Sequence, residues 1–142
     1  MNLKFLTSII LIVIITSCSI NNEDNKIQVL RSEWHLKNVS GGLEGVNNDF
    51  VLNQVIWMFN EPQSSLTVLN NNTNTVEDGL DSGTYTYALL NDGNNTFLII
   101  DDGEFGGLTI LNNILTINQN ITSTGSGADG FIYTFQLVET IE

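Results

Sequence analysis

Leu108-Thr109-Ile110-Leu111-Asn112-Asn113-Ile114-Leu115-Thr116-Ile117 decides the fold: two short apolar runs meet at a pair of asparagines. Asparagine tolerates the positive φ values that a two-residue hairpin demands, though less readily than Asn-Gly. The run is too short and too interrupted for a helix, and its alternation with threonine fits a pleated surface.

The same grammar extends in both directions. Towards the amino end, Thr96–Ile100 (TFLII) lies between the turns Asn91-Asp92-Gly93 and Asp101-Asp102-Gly103, and Gly83–Leu90 alternates Tyr85 and Tyr87 with small residues. Further back, Ser64–Asn70 and Val55–Asn60 flank Glu61-Pro62-Gln63, where proline favours a turn because it cannot donate to a ladder. Leu30–Val39 opens the set with Trp34 and Leu36 on one face and His35 and Lys37 on the other. Phe131–Val138 closes it, with Phe131, Tyr133, Phe135 and Leu137 on one side. Gly41–Asn53 reads as a glycine-containing connection with room for a helical turn, Asn71–Ser82 as a polar loop, and Gly125–Gly130 as a flexible turn.

The spacing therefore predicts eight strands and no crossover helix, for which an antiparallel meander is the economical topology. Eight strands can close into a barrel and so remove exposed edges. A two-sheet sandwich is the alternative.

Ahead of these strands lies a different kind of segment. Lys4 supplies a basic start, Ile9–Ile15 is unbroken aliphatic, and Thr16-Ser17 is a small-residue exit, the order of a secretory signal. Leu3–Ile15 is 13 residues, short of the roughly 20 needed to span a bilayer as a helix. Ile15-Thr16-Ser17-Cys18 resembles the lipobox of bacterial lipoproteins, and the resemblance implies cleavage before Cys18 and acylation of its thiol. Residues 1–17 are then the signal peptide, 18–29 the lipidated cysteine and a polar tether, and 30–142 the barrel domain. Ser19–Lys26 extended at about 3.3 Å per residue would reach about 26 Å from a bilayer. Glu23-Asp24 partly matches the acidic surface-export signals of Bacteroidetes lipoproteins. The location expected is the cell envelope, anchored to the outer membrane and facing the periplasm or the exterior.

Composition narrows the partners. The chain holds four Lys/Arg against sixteen Asp/Glu, a net charge of -12. Such a surface repels nucleic-acid backbones and anionic head groups, so membrane contact is expected through the acylated Cys18 rather than a basic face. The acidity instead admits a basic protein partner such as a lysozyme. Cys18 is the only cysteine and His35 the only histidine. With the thiol acylated, no disulfide, thiolate ligand or nucleophilic pair remains, and a solvent-facing His35 beside Lys37 builds no triad. No enzyme activity and no cofactor are expected.

Trp34-His35-Leu36, Gly41-Gly42, Ile56-Trp57-Met58-Phe59, Gly83-Thr84-Tyr85-Thr86-Tyr87 and Tyr133-Thr134-Phe135 look like the small lipocalin-like domain of Bacteroidetes lipoproteins, a similarity running from about Leu30 to Val138. It departs from the larger lipocalins: no glycine stands two residues before Trp34, no Thr-Asp-Tyr triplet occurs, and no helix follows the last strand. The resemblance implies a barrel holding a small apolar ligand, with Gly41–Asn53 as a lid. Trp34, Trp57, Phe59, Tyr85, Tyr87, Tyr133 and Phe135 are the candidates to line it, either filling the interior as core or leaving space in which tyrosine hydroxyls orient a ligand. Phe97, Ile99, Leu111, Ile114 and Ile132 would then face outward as a covered or partner-binding patch.

Two acidic groups are candidates for calcium, which takes hard oxygen ligands. They are Asp101, Asp102 and Glu104, and Glu77, Asp78 and Asp81. Neither has EF-hand spacing, and turn chemistry explains both as well. As a glycosidase pair, adjacent acids such as Asp101-Asp102 would point apart, where that chemistry needs carboxylates across a cleft.

Overall fold

The computed structural model describes residues 30–141. The expected signal peptide, Cys18 and the expected tether lie outside the described residues. Among those described, the chain runs through β1 (Leu30–Gly41), β2 (Val46–Asp49), β3 (Val55–Asn60), a single 3-10 turn (Glu61–Gln63), β4 (Ser65–Asn70), β5 (Gly83–Asp92), β6 (Asn95–Ile100), β7 (Gly103–Leu111), β8 (Ile114–Asn118), the short pair β9 (Ile121–Thr122) and β10 (Gly125–Ser126), and β11 (Phe131–Ile141). No described helix is long and apolar enough to cross a membrane.

Eight strands form a closed antiparallel barrel in the order β1-β3-β4-β5-β6-β7-β8-β11, and β11 pairs back onto β1. The eight are those read from the alternating segments, and the sandwich is ruled out. β2 is an addition. Where a helical turn was expected, Val46–Asp49 folds back as a strand on the outer wall, opposite Asn38–Gly41. Gly41 (φ +100°) and Gly42 (φ +70°) make this reversal, and both are packed too tightly for a side chain. A Cβ on Gly41 would lie 2.7 Å from the Gly130 carbonyl oxygen, and one on Gly42 would lie 2.5 Å from the Phe131 ring.

The hairpin at Asn112-Asn113 is as the sequence predicts, with φ of +51° and +63°. Asp101 and Asp102 adopt the same left-handed pair (+46° and +66°) in the turn between β6 and β7, so their shared role is turn geometry.

Two irregularities decide which residues face inward. In β1 the register with β11 jumps between Leu36 and Asn38, so Lys37 is an extra residue. The inward set passes from Trp34 and Leu36 to Val39. In β7 the register with β6 jumps between Leu98 and Ile99, leaving Phe105 extra, and the inward set passes from Phe105 to Leu108 and Ile110. An extra residue in one strand bends it and sharpens its twist, which helps a sheet of eight strands to close.

The core is densest at mid-barrel and towards the end where β1 and β7 exchange faces. Trp57, Tyr133, Phe135, Leu36, Leu66, Leu98 and Ile117 are buried there. Each large apolar side chain so buried contributes about 1.5–3 kcal/mol. The rings pack obliquely, with Trp57 at 4.9 Å from Phe135 and 5.7 Å from Phe105, centroid to centroid.

Candidate functional site

The two ends of the barrel differ. The turns at residues 61–64, 93–94 and 112–113, together with Leu30 and Ile141, form one end; the connections 42–45, 71–82, 101–102 and 119–130 form the other. The second end is closed. Residues 71–82 cross it, and Gly79 (φ +97°) sits over Trp57 and Tyr133, where an added Cβ would touch both rings at 3.4 Å. The Tyr133 hydroxyl donates to Glu77 Oε1 at 2.8 Å, and Glu77 Oε1 also accepts from the Gly79 amide at 3.1 Å. Burial, then the Glu77 hydrogen bond, push the Tyr133 phenol far above its ordinary range. Tyr85 donates to the Asp81 carbonyl at 2.9 Å and so ties the same loop to the wall.

The first end is open. A cavity of about 300 Å³ enters it, walled by Trp34, Phe59, Tyr87, Leu89, Leu108 and Leu137, with Ser32 and Glu61 at the rim. This is the lower end of the size range of small-molecule sites, roughly 300–1,000 Å³. Phe59 and Tyr87 meet edge to face at 5.0 Å. Burial, then the Glu61 carboxylate, raise the Tyr87 phenol above its ordinary value.

The wall is splayed beside this mouth. β1 pairs with β3 only at Trp34–Trp57 and His35–Ile56. Beyond that point Leu30–Glu33 pair with β11 and Met58–Asn60 with β4, so the two strands part. A groove of about 790 Å³ runs along the seam, and it shares Ser32, Phe59 and Glu61 with the cavity.

The seven aromatic candidates therefore divide. Trp34, Phe59 and Tyr87 line the open cavity. Trp57, Tyr133 and Phe135 are fully buried core, and Tyr85 packs on that core from its loop contact. The barrel is solid at one end and hollow at the other, which joins the two alternatives left by the sequence. Ser32, Glu61, Leu89, Leu108 and Ile110 join the lining from outside the seven aromatic candidates. Leu89, Leu108 and Ile110 carry the signal of inward alternation, whereas Ser32 and Glu61 look like any strand end and turn.

Gly41–Asn53 is no lid for this mouth. It lies along the outer wall and towards the closed end, with the Phe50 amide bonded to the Lys37 carbonyl at 2.8 Å. Beneath it is the largest correction. His35 is 2 % exposed rather than solvent-facing, because the connection covers it. The Asn53 amide (φ +73°) donates to His35 Nδ1 at 3.2 Å, and His35 Nε2 lies 3.2 Å from Glu33 Oε2. With Nδ1 accepting, the ring proton resides on Nε2 and is donated to Glu33. Phe97 corrects the outward patch in the same way. It faces out opposite Gly107 yet is buried, since Ile121 of β9 covers that site; a Cβ on Gly107 would meet Ile121 at 2.9 Å. Leu111 is exposed, and Ile99, Ile114 and Ile132 are half-buried.

The acidic candidates serve neighbours. Asp101 Oδ1 accepts from the Thr86 amide and hydroxyl, both at 2.9 Å, and Glu104 takes the Ser123 amide at 2.7 Å and hydroxyl at 2.5 Å. Asp102 sits in the turn between them. Glu77 is committed to Tyr133, and Asp78 accepts from Asn72 Nδ2 at 2.8 Å. Among the described residues no three His, Cys, Asp or Glu side chains come together as a metal site.

Compared with known proteins, the chain matches no family model, no curated protein and no solved structure.

Proposed function

We propose that this chain is a lipid-anchored, non-enzymatic binding module that holds a small apolar molecule in the open mouth of its barrel. The observation that carries the reading is the cavity walled by Trp34, Phe59, Tyr87, Leu89, Leu108 and Leu137. Apolar walls with a few convergent polar groups are the usual make-up of a small-molecule site. Here those groups are the Ser32 and Tyr87 hydroxyls and the Glu61 carboxylate. Glu61 disfavours an acid-headed ligand and suits a neutral or cationic head that donates a hydrogen bond. The anchor rests on the lipobox resemblance at Ile15-Thr16-Ser17-Cys18.

Native mass spectrometry of the chain purified from its own membranes tests the reading. A co-purifying small mass is expected, and Leu108→Trp, which fills the cavity from β7, is expected to displace it. Wild type and variant each found at its own unliganded mass would overturn the ligand. Separately, Cys18→Ala should move the chain out of the membrane fraction; unchanged retention would overturn the anchor.

A second reading is favoured by the distribution of charge. Glu44, Glu77, Asp78, Asp81, Asp101, Asp102 and Asp129 all lie in connections at the closed end. That end suits a basic protein. Binding of a purified lysozyme at low salt that disappears near 0.5 M would support it, because screening shortens the reach of surface charge. Salt-independent binding, or none, would count against it.

A further inference from the structure

We infer that the open end of the barrel faces a lipid bilayer and rests its apolar rim in the interface, so that the cavity opens onto lipid rather than onto bulk water. This rests on the reading of a lipid-anchored barrel, and adds to it an orientation and a surface.

Three observations point the same way. Six large apolar side chains are exposed at the mouth: Leu30, Leu89, Leu90, Ile110, Leu111 and Ile141. They come from three places that the barrel brings to one end, namely the β5–β6 turn, the β7–β8 turn and the paired ends of β1 and β11. Soluble surfaces seldom gather apolar groups into one patch without a partner. The other exposed large apolar residues, such as Leu43, Leu69 and Ile121, are dispersed over the wall and the closed end.

The second observation is where the rest of the chain attaches. Leu30 opens β1 at the rim itself, 29 residues precede it, and Cys18 lies twelve positions upstream. Twelve residues span at most about 40 Å even when extended. An anchor at Cys18 is therefore joined to the barrel at its mouth, and not at its closed end.

Charge is the third. Towards the mouth stand Glu61, Asp92 and Glu139, with Arg31 in β1 on the same side as Glu61, whereas seven carboxylates occupy the connections at the closed end. Anionic head groups repel the closed end most strongly, so turning the mouth inward is the orientation of least repulsion. Seating exposed leucine and isoleucine side chains a few ångströms into the interface adds attraction in proportion to the apolar area buried.

The test places a nitroxide at position 111 (Leu111→Cys) and, in a second sample, at position 102 (Asp102→Cys). Each full chain, its own Cys18 acylated, is reconstituted into phosphatidylcholine vesicles. The label at 111 is expected to become accessible to oxygen and to lose most of its contact with a water-soluble nickel chelate; the label at 102 is expected to keep that contact. Equal exposure of both labels to nickel, in chains that float with the vesicles and still carry a co-purifying ligand, would overturn the orientation alone. Chains that fail to float would overturn the anchor together with it. Spin–spin broadening at 111 that survives dilution with lipid would show a second copy seated mouth to mouth, and would overturn the bilayer as the occupant.

Discussion

The Tyr133 hydroxyl and the Glu77 carboxylate, 56 positions apart in the chain, meet at 2.8 Å and fasten the loop over the closed end to the last strand of the barrel. Burial, reinforced by this bond, holds the phenol of Tyr133 well above its usual value. In the unfolded chain a tyrosine ionises near pH 10, at about its reference value. Between that pH and the higher folded value, the folded state keeps a proton that the unfolded state has lost. The stabilisation is therefore complete below about pH 10 and falls as pH rises, at up to about 1.4 kcal/mol per pH unit for one proton. Urea midpoints measured from pH 9 to 11 should fall with pH, and Tyr133→Phe should flatten that slope. At pH 7 the same variant should cost about 1–2 kcal/mol, since it strips one partner from a part-buried carboxylate.

His35 links the outer connection to the wall through Nδ1 and Nε2. His35→Phe keeps a planar ring, somewhat larger than imidazole, and removes both bonds, leaving the Asn53 amide without its acceptor. A loss of about 1–3 kcal/mol is expected. Hydrogen exchange at Asn53 and through β2 should accelerate while exchange in β6–β8 is unchanged. Uniform acceleration would mean that the ring supports the whole barrel rather than this connection.

Trp57 is wholly buried, and its Nε1 has no hydrogen-bond partner among the described residues. Leaving a donor unsatisfied costs about 1–3 kcal/mol, which offsets part of what the ring gains by burial. Trp57→Phe should thus lower stability by less than about 2 kcal/mol, while Phe135→Ala, 4.9 Å away, should lose about 3–5 kcal/mol. Denaturant unfolding of the two variants compares them directly; equal losses would refute the offset.

Glu61 at the mouth sets head-group preference under the proposed function. Glu61→Gln should tighten dodecanoate by about fivefold, the equivalent of about 1 kcal/mol of relieved repulsion across solvent, and leave dodecanol unchanged. Competition titrations against the native ligand read both. An equal change for acid and alcohol would place the carboxylate away from the ligand's head.

The barrel was legible because its signals are local. Alternation in Leu108–Ile117, the asparagines at 112 and 113, and the tyrosines of β5 each specify a strand or a turn without help from distant residues. The positions that misled depend on something remote. Lys37 is extra only in relation to β11, so nothing around it in sequence announces that the inward set shifts from Leu36 to Val39. His35 alternates like an exposed residue and is buried only because a segment 18 positions away folds over it. Phe97 is covered across a gap left by Gly107, and a glycine pair beside a strand gives no hint of what will fill it. The mouth is hidden for a related reason. Which end of a cylinder stays open depends on how the 71–82 loop packs, and its polar sequence shows only that it is a loop.

Because Leu30 and Ile141 pair at the rim, both ends of the folded barrel emerge at its entrance. An affinity tag or fluorescent fusion added after the last strand would hang across the doorway and compete with whatever enters. The exposed turn at Leu43-Glu44, at the opposite pole, is the safer place for a handle, and a carrier inserted there leaves the passage clear.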